Sequence, residues 1–83
     1  MYWTYIIRSQ KDNRYYVGSS NNIVRRLEEH NKGLSKYTKG KGPWELVYRE
    51  EVGSLVSARR RERQIKSWKK RSAIEKLISA AFV

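Results

Sequence analysis

Glu62 is the residue whose position most directly suggests chemistry. The segment from Leu55 to about Lys70 is predicted to be a long helix, and at about 100° per residue Glu62 falls within its apolar stripe, beside Ala58 and Ile65. An ionised carboxylate is costly to bury on such a face without a partner. Two interpretations are therefore open. Glu62 forms a salt bridge with an arginine or lies at the rim of the core, or it is a metal ligand or an acid–base group.

Arg26 and His30 are a second polar pair on an apolar helix face. They lie four residues apart in the predicted helix Ile23–Asn31, so their side chains are neighbours at the edge of its core-facing stripe. A lone histidine on such a face is more often a core residue than a functional one. An arginine, a histidine and a carboxylate together fit phosphate chemistry. The arginine clamps a phosphate oxygen, the histidine bonds or relays protons, and the carboxylate holds a divalent cation.

Tyr5 and Tyr16 form a third candidate group. The residues Tyr2–Ser9 and Arg14–Gly18 are predicted to be neighbouring antiparallel strands, because only a short polar turn joins them. Both tyrosines lie in mid-strand, where cross-strand aromatic packing would explain them without any function. The glycine that ends the second strand indicates a close approach or a bend of the backbone.

The remaining pattern predicts an α+β fold. A third strand is predicted over Trp44–Arg49, Ser54 is the predicted cap of the long helix, and Ser72–Glu75 is a capping box that predicts a last short helix. The apolar stripe of that helix would be Ile74, Leu77, Ile78 and Ala81. The order β-β-α-β-α-α predicts a small three-stranded antiparallel sheet flanked by helices. At 83 residues the chain is expected to be one domain, residues 1–83.

The charge of the chain predicts a polyanionic partner. Lys and Arg total 19 against 8 Asp and Glu, which gives a net charge of +11. Nucleic acid is the first candidate. A membrane surface is a poor one, because the basic helix needs its apolar stripe to close the core. The residues expected to contact nucleic-acid phosphates lie in a glycine-rich basic loop (residues 33–43) and on the long helix: Lys36, Lys39, Lys41, Arg59, Arg60, Arg63, Lys66, Lys69 and Lys70.

Composition excludes several other classes of protein. The absence of cysteine excludes disulfide scaffolds, cysteine-ligated zinc sites and thiol nucleophiles, and a single histidine excludes a multi-histidine metal site. No glycine-rich dinucleotide fingerprint follows a predicted strand. The sequence has neither a transmembrane run nor a signal peptide at its start, so a cytoplasmic location is expected.

Several segments resemble the GIY-YIG nuclease family. Trp3–Tyr5 and Tyr16–Gly18, on the two adjacent strands, resemble its paired motifs. Ile23–His30 is similar to its first helix, and Arg61–Trp68 is similar to the helix with its metal-binding glutamate. Gly42–Val47 resembles a stretch in the structure-specific resolvase branch. The resemblance covers nearly the whole chain and is nearest to small stand-alone members of the family, which are similar to the nuclease domain of an excinuclease.

The resemblance implies hydrolysis of DNA phosphodiester bonds with one Mg²⁺ or Mn²⁺ ion bound at Glu62. Tyr5 would activate the attacking water with help from Tyr16 or His30, and cationic surroundings would have to lower its pKa from near 10. Arg26 would stabilise charge in the transition state. His30 would orient a tyrosine hydroxyl or the phosphate.

Two further residues receive roles in this interpretation. Lys66 would contact a phosphate, and Gly18 would let the backbone come close. The sequence contains no base-reading helix-turn-helix, so low sequence specificity is expected. The family favours a role in DNA repair or recombination, on branched or damaged DNA. Double-strand cleavage by one small site would need a homodimer or two visits, and a protein partner could supply specificity.

Two departures from the family pattern keep other functions open. Trp3 stands where the first motif of the family has glycine, and no asparagine follows Glu62. The alternative is therefore a catalytically weak or inactive nuclease-fold protein that binds DNA or RNA. A basic ribosome- or RNA-associated protein is a further alternative.

Overall fold

A central antiparallel sheet with helices on both faces organises the chain. The computed structural model describes residues 1–81. The elements follow in the order β1 (Tyr2–Ser9), β2 (Tyr15–Ser20), α1 (Ile23–Asn31), β3 (Trp44–Val52), α2 (Leu55–Ser67) and α3 (Arg71–Ala80). The predicted α+β class, element order and three-stranded antiparallel sheet are confirmed.

The strand order β2-β1-β3 places β1 in the centre and leaves one edge of β2 unpaired within the sheet. Alternation along β1 sends its side chains to two separate cores. Tyr5 and Ile7 pack with Ile23 of α1 and Trp44 on one face. On the other face, Ile6 packs with buried and half-buried apolar side chains that include Val17, Ile65, Ile74, Leu77 and Ile78. We call these the α1 face and the α2 face.

Two strands are longer than the sequence pattern predicts. Gly18 does not end β2, which continues to Ser20 because the ladder with β1 continues, with Gly18 opposite Tyr5 and Ser20 opposite Trp3. The third strand continues past Arg49 to Val52. The presence of glycine at position 18 therefore needs an explanation other than the end of a strand.

The last two helices differ from prediction at the boundary between them. The helix α2 ends at Ser67, and Lys69 has a left-handed φ of 53°, so the helix cannot continue to Lys70. The helix α3 then begins at Arg71, with Lys70 as a cap that makes no side-chain hydrogen bond. The predicted capping box is thus wrong, because Ser72 lies inside the helix. Ala81 is an exposed C-cap and not part of the apolar stripe.

The start of α2 follows the predicted capping chemistry, and α1 begins in the same way. The side chain of Asn22 accepts a hydrogen bond from the backbone N–H of Arg25, and that of Ser54 accepts one from Ser57. Within residues 1–81, none of the helices is both long enough and apolar enough to cross a membrane.

Candidate active site

The candidate site begins where Tyr5 crosses Gly18 on the α1 face. The two residues are opposite each other in the β1–β2 ladder. A Cβ atom at position 18 would lie 2.5 Å from the hydroxyl oxygen of Tyr5 and 2.6 Å from its Cζ. The glycine therefore makes room for a buried phenol. The close approach that the sequence predicted at Gly18 is made by the side chain of Tyr5.

His30 joins this phenol to the basic loop. Its Nε2 lies 2.8 Å from the Tyr5 hydroxyl, and its Nδ1 lies 2.7 Å from the Thr38 hydroxyl. The imidazole is only 1% exposed. In one tautomer Tyr5 donates to Nε2 and Nδ1–H donates to Thr38; in the other tautomer both bonds run in reverse. Thr38 was not predicted as a site residue, since a threonine in an irregular loop carries no periodic signal.

Burial moves the pKa values of Tyr5 and His30 further from 7, so both side chains are neutral at that pH. It raises the pKa of Tyr5 to about 12, although the nearby charge of Arg26 opposes this shift. It also lowers the pKa of His30 to about 4, and the charge of Arg26 adds to that shift. The expectation that cationic surroundings lower the pKa of Tyr5 is therefore wrong, because desolvation of the phenol outweighs its cationic neighbour.

Tyr16 packs on His30 and not directly across from Tyr5. The ladder pairs Tyr16 with Ile7, and the Tyr16 and His30 ring centroids lie 5.0 Å apart at 61°. The Nζ of Lys66 lies 5.5 Å from the centroid of the Tyr16 ring. Tyr16 is therefore in contact with both the histidine of α1 and a lysine of α2.

Arg26 is held by a carboxylate that the sequence pattern did not reveal. Its Nη1 donates to Oε1 of Glu29 at 2.9 Å, and both side chains are about one-third exposed. This bond raises the pKa of Arg26 and lowers the pKa of Glu29. The i,i+3 spacing of the pair on α1 was the signal that could have identified Glu29. A phosphate that approaches Arg26 must compete with this ion pair.

Glu62 lies on the α2 face, in contact with two donors. Ser19 Oγ donates to Oε1 at 2.6 Å, and Lys66 Nζ donates to Oε2 at 2.6 Å. The expected arginine partner is thus a lysine, one helical turn away. Ser19 follows Gly18 in β2, so their side-chain positions point to opposite faces. The site therefore wraps around the free edge of β2, with Lys66 in contact with both halves.

The carboxylate of Glu62 is the kind of ligand that a hydrated divalent cation takes. Within residues 1–81, no three His, Asp or Glu side chains group closely enough to form an all-protein metal cage. Mg²⁺ does not require one, since it usually keeps several waters and binds one or two carboxylates together with substrate phosphates. Glu62 is accessible, and its Lys66 partner is a half-exposed, flexible side chain that can move away. The residues present therefore fit such an ion.

The basic residues predicted to contact nucleic acid lie on the surface, and Lys66 is the one whose contacts place it at the site. All are exposed except Lys41, which is half-buried. Within residues 1–81 only Lys66 of that set forms an ion pair. Other arginines pair with Asp12, Glu29, Glu45, Glu50 and Glu75. Among the described residues, Lys11, Lys32, Arg49 and Lys76 also form no ion pair, so the free positive charge includes the basic loop and α2 but is not confined to them.

Comparisons with a family model, with protein sequences and with a solved structure all find similar proteins. The family model of the GIY-YIG catalytic domain matches residues 1–76. A UPF0213 protein of Syntrophus aciditrophicus is 44% identical, over 90% of this chain and 84% of its own. One from Staphylococcus haemolyticus is 37% identical, over 89% of this chain and 90% of its own. The solution NMR structure of a UPF0213 protein from Bacillus halodurans is 33% identical, with a TM-score of 0.60 over 96% of this chain and 85% of that one.

Proposed function

The chain belongs to the GIY-YIG catalytic domain family, and from this premise we propose that it is a metal-dependent DNA endonuclease. The proposal depends on where the candidate residues lie in the fold. The five residues selected from the sequence, on four separate elements, meet around the free edge of β2: Tyr5, Tyr16, Arg26, His30 and Glu62. A scissile phosphate at this edge would have the phenol on one side and the carboxylate on the other.

Tyr5 is the proposed general base, acting through His30. Its hydroxyl can take a proton from the attacking water while it gives its own proton to Nε2 of His30, 2.8 Å away. A concerted transfer is required because, with a pKa of about 12, the phenol does not ionise first near pH 7. The negative charge of bound DNA phosphates favours a protonated His30 during this step.

Arg26 is the proposed stabiliser of negative charge in the transition state. Its guanidinium can exchange the carboxylate of Glu29 for a phosphate oxygen, because both are anionic acceptors of guanidinium N–H groups. The ion pair with Glu29 holds Arg26 beside Tyr5 before DNA arrives. Glu29 is thus a positioning residue in this scheme.

Glu62 is the residue proposed to hold a single Mg²⁺ or Mn²⁺ ion. When bound, such an ion supplies Lewis-acid stabilisation of the phosphate and its leaving oxygen. Ser19 fixes one oxygen of Glu62 and so orients the carboxylate. Lys66, displaced from the other oxygen, can contact a phosphate instead.

The free basic residues of the loop and of α2 are proposed to contact the DNA backbone on either side of the site. Such contacts carry no sequence information, so low sequence specificity follows. Branched or damaged DNA, and a role in repair or recombination in the cytoplasm, are the proposed setting. A homodimer or a protein partner would be needed to cut both strands in one event.

One observation favours the alternative of a DNA- or RNA-binding protein without catalysis. The resting site is internally neutralised, since Arg26 is paired with Glu29 and Glu62 with Lys66. In the alternative, these ion pairs persist when nucleic acid is bound, and the protein only binds nucleic acid through its basic surface.

Relaxation of supercoiled plasmid separates the two functions. With Mg²⁺ or Mn²⁺, wild-type protein should nick the plasmid and EDTA should stop it. Glu62→Gln should lose at least about 100-fold in rate while it still binds DNA, in keeping with the loss of a group that acts on the transition state.

Glu51→Gln is the matched control, because it removes the same charge from an exposed side chain of β3. It should cut at the wild-type rate. If Glu62→Gln cuts as fast as Glu51→Gln, the cleavage does not come from this site.

A further inference from the structure

The basic loop presents an apolar pair to solvent where a small core would be expected. Ser35 and Thr38 are buried, whereas Leu34 is 69% exposed and Tyr37 is 70% exposed. Each pair is spaced i,i+3 along one tight turn, so its two members lie on the same side of the turn, and the burial values show that the two pairs face different ways. Small polar residues thus face inward and large apolar ones face water. Burial alone would favour the reverse arrangement.

The turn is held in this orientation by hydrogen bonds. The backbone N–H groups of Thr38 and Lys39 both donate to the Ser35 carbonyl, at 3.3 and 3.0 Å. The Thr38 carbonyl accepts from Nε1 of Trp44 at 3.2 Å, and its hydroxyl bonds to His30. Tyr37 is therefore displayed from a fixed backbone, and no side-chain hydrogen bond joins it to the rest of residues 1–81.

The surroundings of the apolar pair indicate which partner covers it. Lys36 and Lys39, close to it in the chain, are exposed and form no ion pair within the described residues. An aromatic ring flanked by cations is the arrangement that stacks a nucleic-acid base while lysines hold its phosphates. An intact duplex keeps its bases stacked inside, so only an unpaired base can reach the ring.

We propose that Tyr37, backed by Leu34, is a stacking platform for an unpaired base next to the bond that is cut. The proposal rests on the proposed nuclease function and supplies its substrate class, which is DNA with a flap, fork or frayed end. Position supports it. Tyr37 directly precedes Thr38, whose hydroxyl bonds to His30, so the backbone that carries the ring is attached to the candidate site.

Binding without metal tests the platform separately from cleavage. Fluorescence anisotropy in EDTA would compare three labelled DNAs: a duplex, the same duplex with an unpaired flap, and that flap with abasic sites in place of its bases. Wild-type protein should prefer the flap with bases. Tyr37→Ala should weaken that complex about 5- to 100-fold and change the other two by less than about twofold.

Matched variants make the outcome specific. Tyr37→Trp should keep the preference, and Lys36→Gln should weaken all three complexes alike. Val56→Ala, which trims an apolar side chain of α2 that is 65% exposed, should change none.

An equal loss on all three DNAs with Tyr37→Ala, or equal wild-type binding of the flap with and without bases, would overturn the platform. If wild-type protein cuts plasmid under either of those results, the nuclease function stands without it. If the protein prefers the flap through Tyr37 but never cuts, the platform stands and the nuclease function fails.

Discussion

The Tyr5–His30 hydrogen bond joins two groups whose affinities for a proton differ widely. The pKa of Tyr5 is about 12 and that of His30 about 4, so the proton remains on the phenol in the resting state. In the proposed mechanism the pair therefore acts as a path for a proton and not as a preformed base. The surrounding residues must maintain the geometry of this hydrogen bond. Two substitutions, at Gly18 and at Thr38, test their contributions.

Gly18→Ala should displace the Tyr5 ring. The added Cβ would lie 2.5 Å from the phenol oxygen, in a ladder that cannot shift without breaking its register. We expect a loss of about 1–3 kcal/mol in the free energy of unfolding and loss of nuclease activity. Urea unfolding and plasmid relaxation are the measurements. Gly53→Ala is the control, because nothing lies within 4 Å of its Cβ position. Equal stability of the two variants would contradict this account of Gly18.

Thr38→Val should change the balance between the two tautomers of His30, because it removes the hydroxyl that bonds to Nδ1. Valine keeps the shape of threonine and removes the hydroxyl, which leaves Nδ1 buried without its partner at a cost of about 1–3 kcal/mol. Because the chain has a single histidine, ¹⁵N NMR of its imidazole reports the tautomer without overlap. We expect a changed tautomer ratio and lower activity in Thr38→Val, with both restored in Thr38→Ser. An unchanged imidazole spectrum in Thr38→Val would show that Thr38 does not set the tautomer.

The sequence could identify residues that the fold brings together, but not the residues that contact and support them. Glu62 and His30 disturb an apolar helical period, which is a local signal. Ser19 and Thr38 take their roles from contacts 43 and 8 residues along the chain, and hydroxyls at such places follow no pattern. The direction of the Tyr5 pKa shift was missed for a related reason, since burial depends on what the whole fold places around the ring.

At the scale of elements, β1 and α1 were predicted with the bounds that they have. Each has an unambiguous period and clear end signals, such as the Asn22 cap of α1. The errors arose where a local signal competed with pairing. Gly18 was interpreted as a strand end, although its ladder with Tyr5 continues the strand. Ser72 matched a capping box, but the helical backbone breaks at the left-handed Lys69 and the last helix begins earlier, at Arg71.

Asn31 is the residue that fastens the end of α1 to the start of β3. Its side-chain Oδ1 accepts from the Trp44 backbone N–H at 2.6 Å, and its Nδ2 donates to the Trp44 carbonyl at 3.2 Å. It thereby closes the basic loop at its base. Asn31→Ala should lower the free energy of unfolding by about 1–3 kcal/mol, measured in urea, because two backbone groups lose their partner.

Asn21→Ala is the control for this element. Asn21 is exposed, and its side chain bonds only to the exposed Arg25, so a change of less than about 0.5 kcal/mol is expected. If both asparagine variants have the same stability, the Asn31 bridge contributes nothing to the joining of α1 and β3.

At the scale of the whole molecule, some charged side chains form ion pairs within the fold and others remain available to a partner. Six of the eight acidic residues form ion pairs with basic neighbours, so they are already neutralised within the fold. The net charge of +11 therefore represents basic side chains that remain available to a polyanion. Self-repulsion among them destabilises the free protein.

The burial of neutral His30 should make the stability of the protein depend on pH between about 6.5 and 4. Its pKa is about 4 in the folded chain and has its ordinary value of 6.5 when unfolded, so the unfolded chain binds more protons in this window. Stability must then rise with pH across it. From pH 7.5 to 4.5 the loss should be about 2–3 kcal/mol, at roughly 1.4 kcal/mol for each pKa unit.

Urea unfolding at pH 7.5, 6.5, 5.5 and 4.5 measures this dependence, with His30→Gln as the control. The carboxylates whose pKa values are lowered by their partners, Asp12, Glu29 and Glu45, give up their contribution at lower pH, as they protonate below their ordinary values near 4. A slope already present between pH 6.5 and 5.5 therefore belongs to His30. It should vanish in His30→Gln, and the imidazole NMR signal of the folded wild type should titrate near pH 4. Titration near pH 6.5 would mean that the His30 ring is solvated. The proposed proton path from Tyr5 to His30 would then be solvated too.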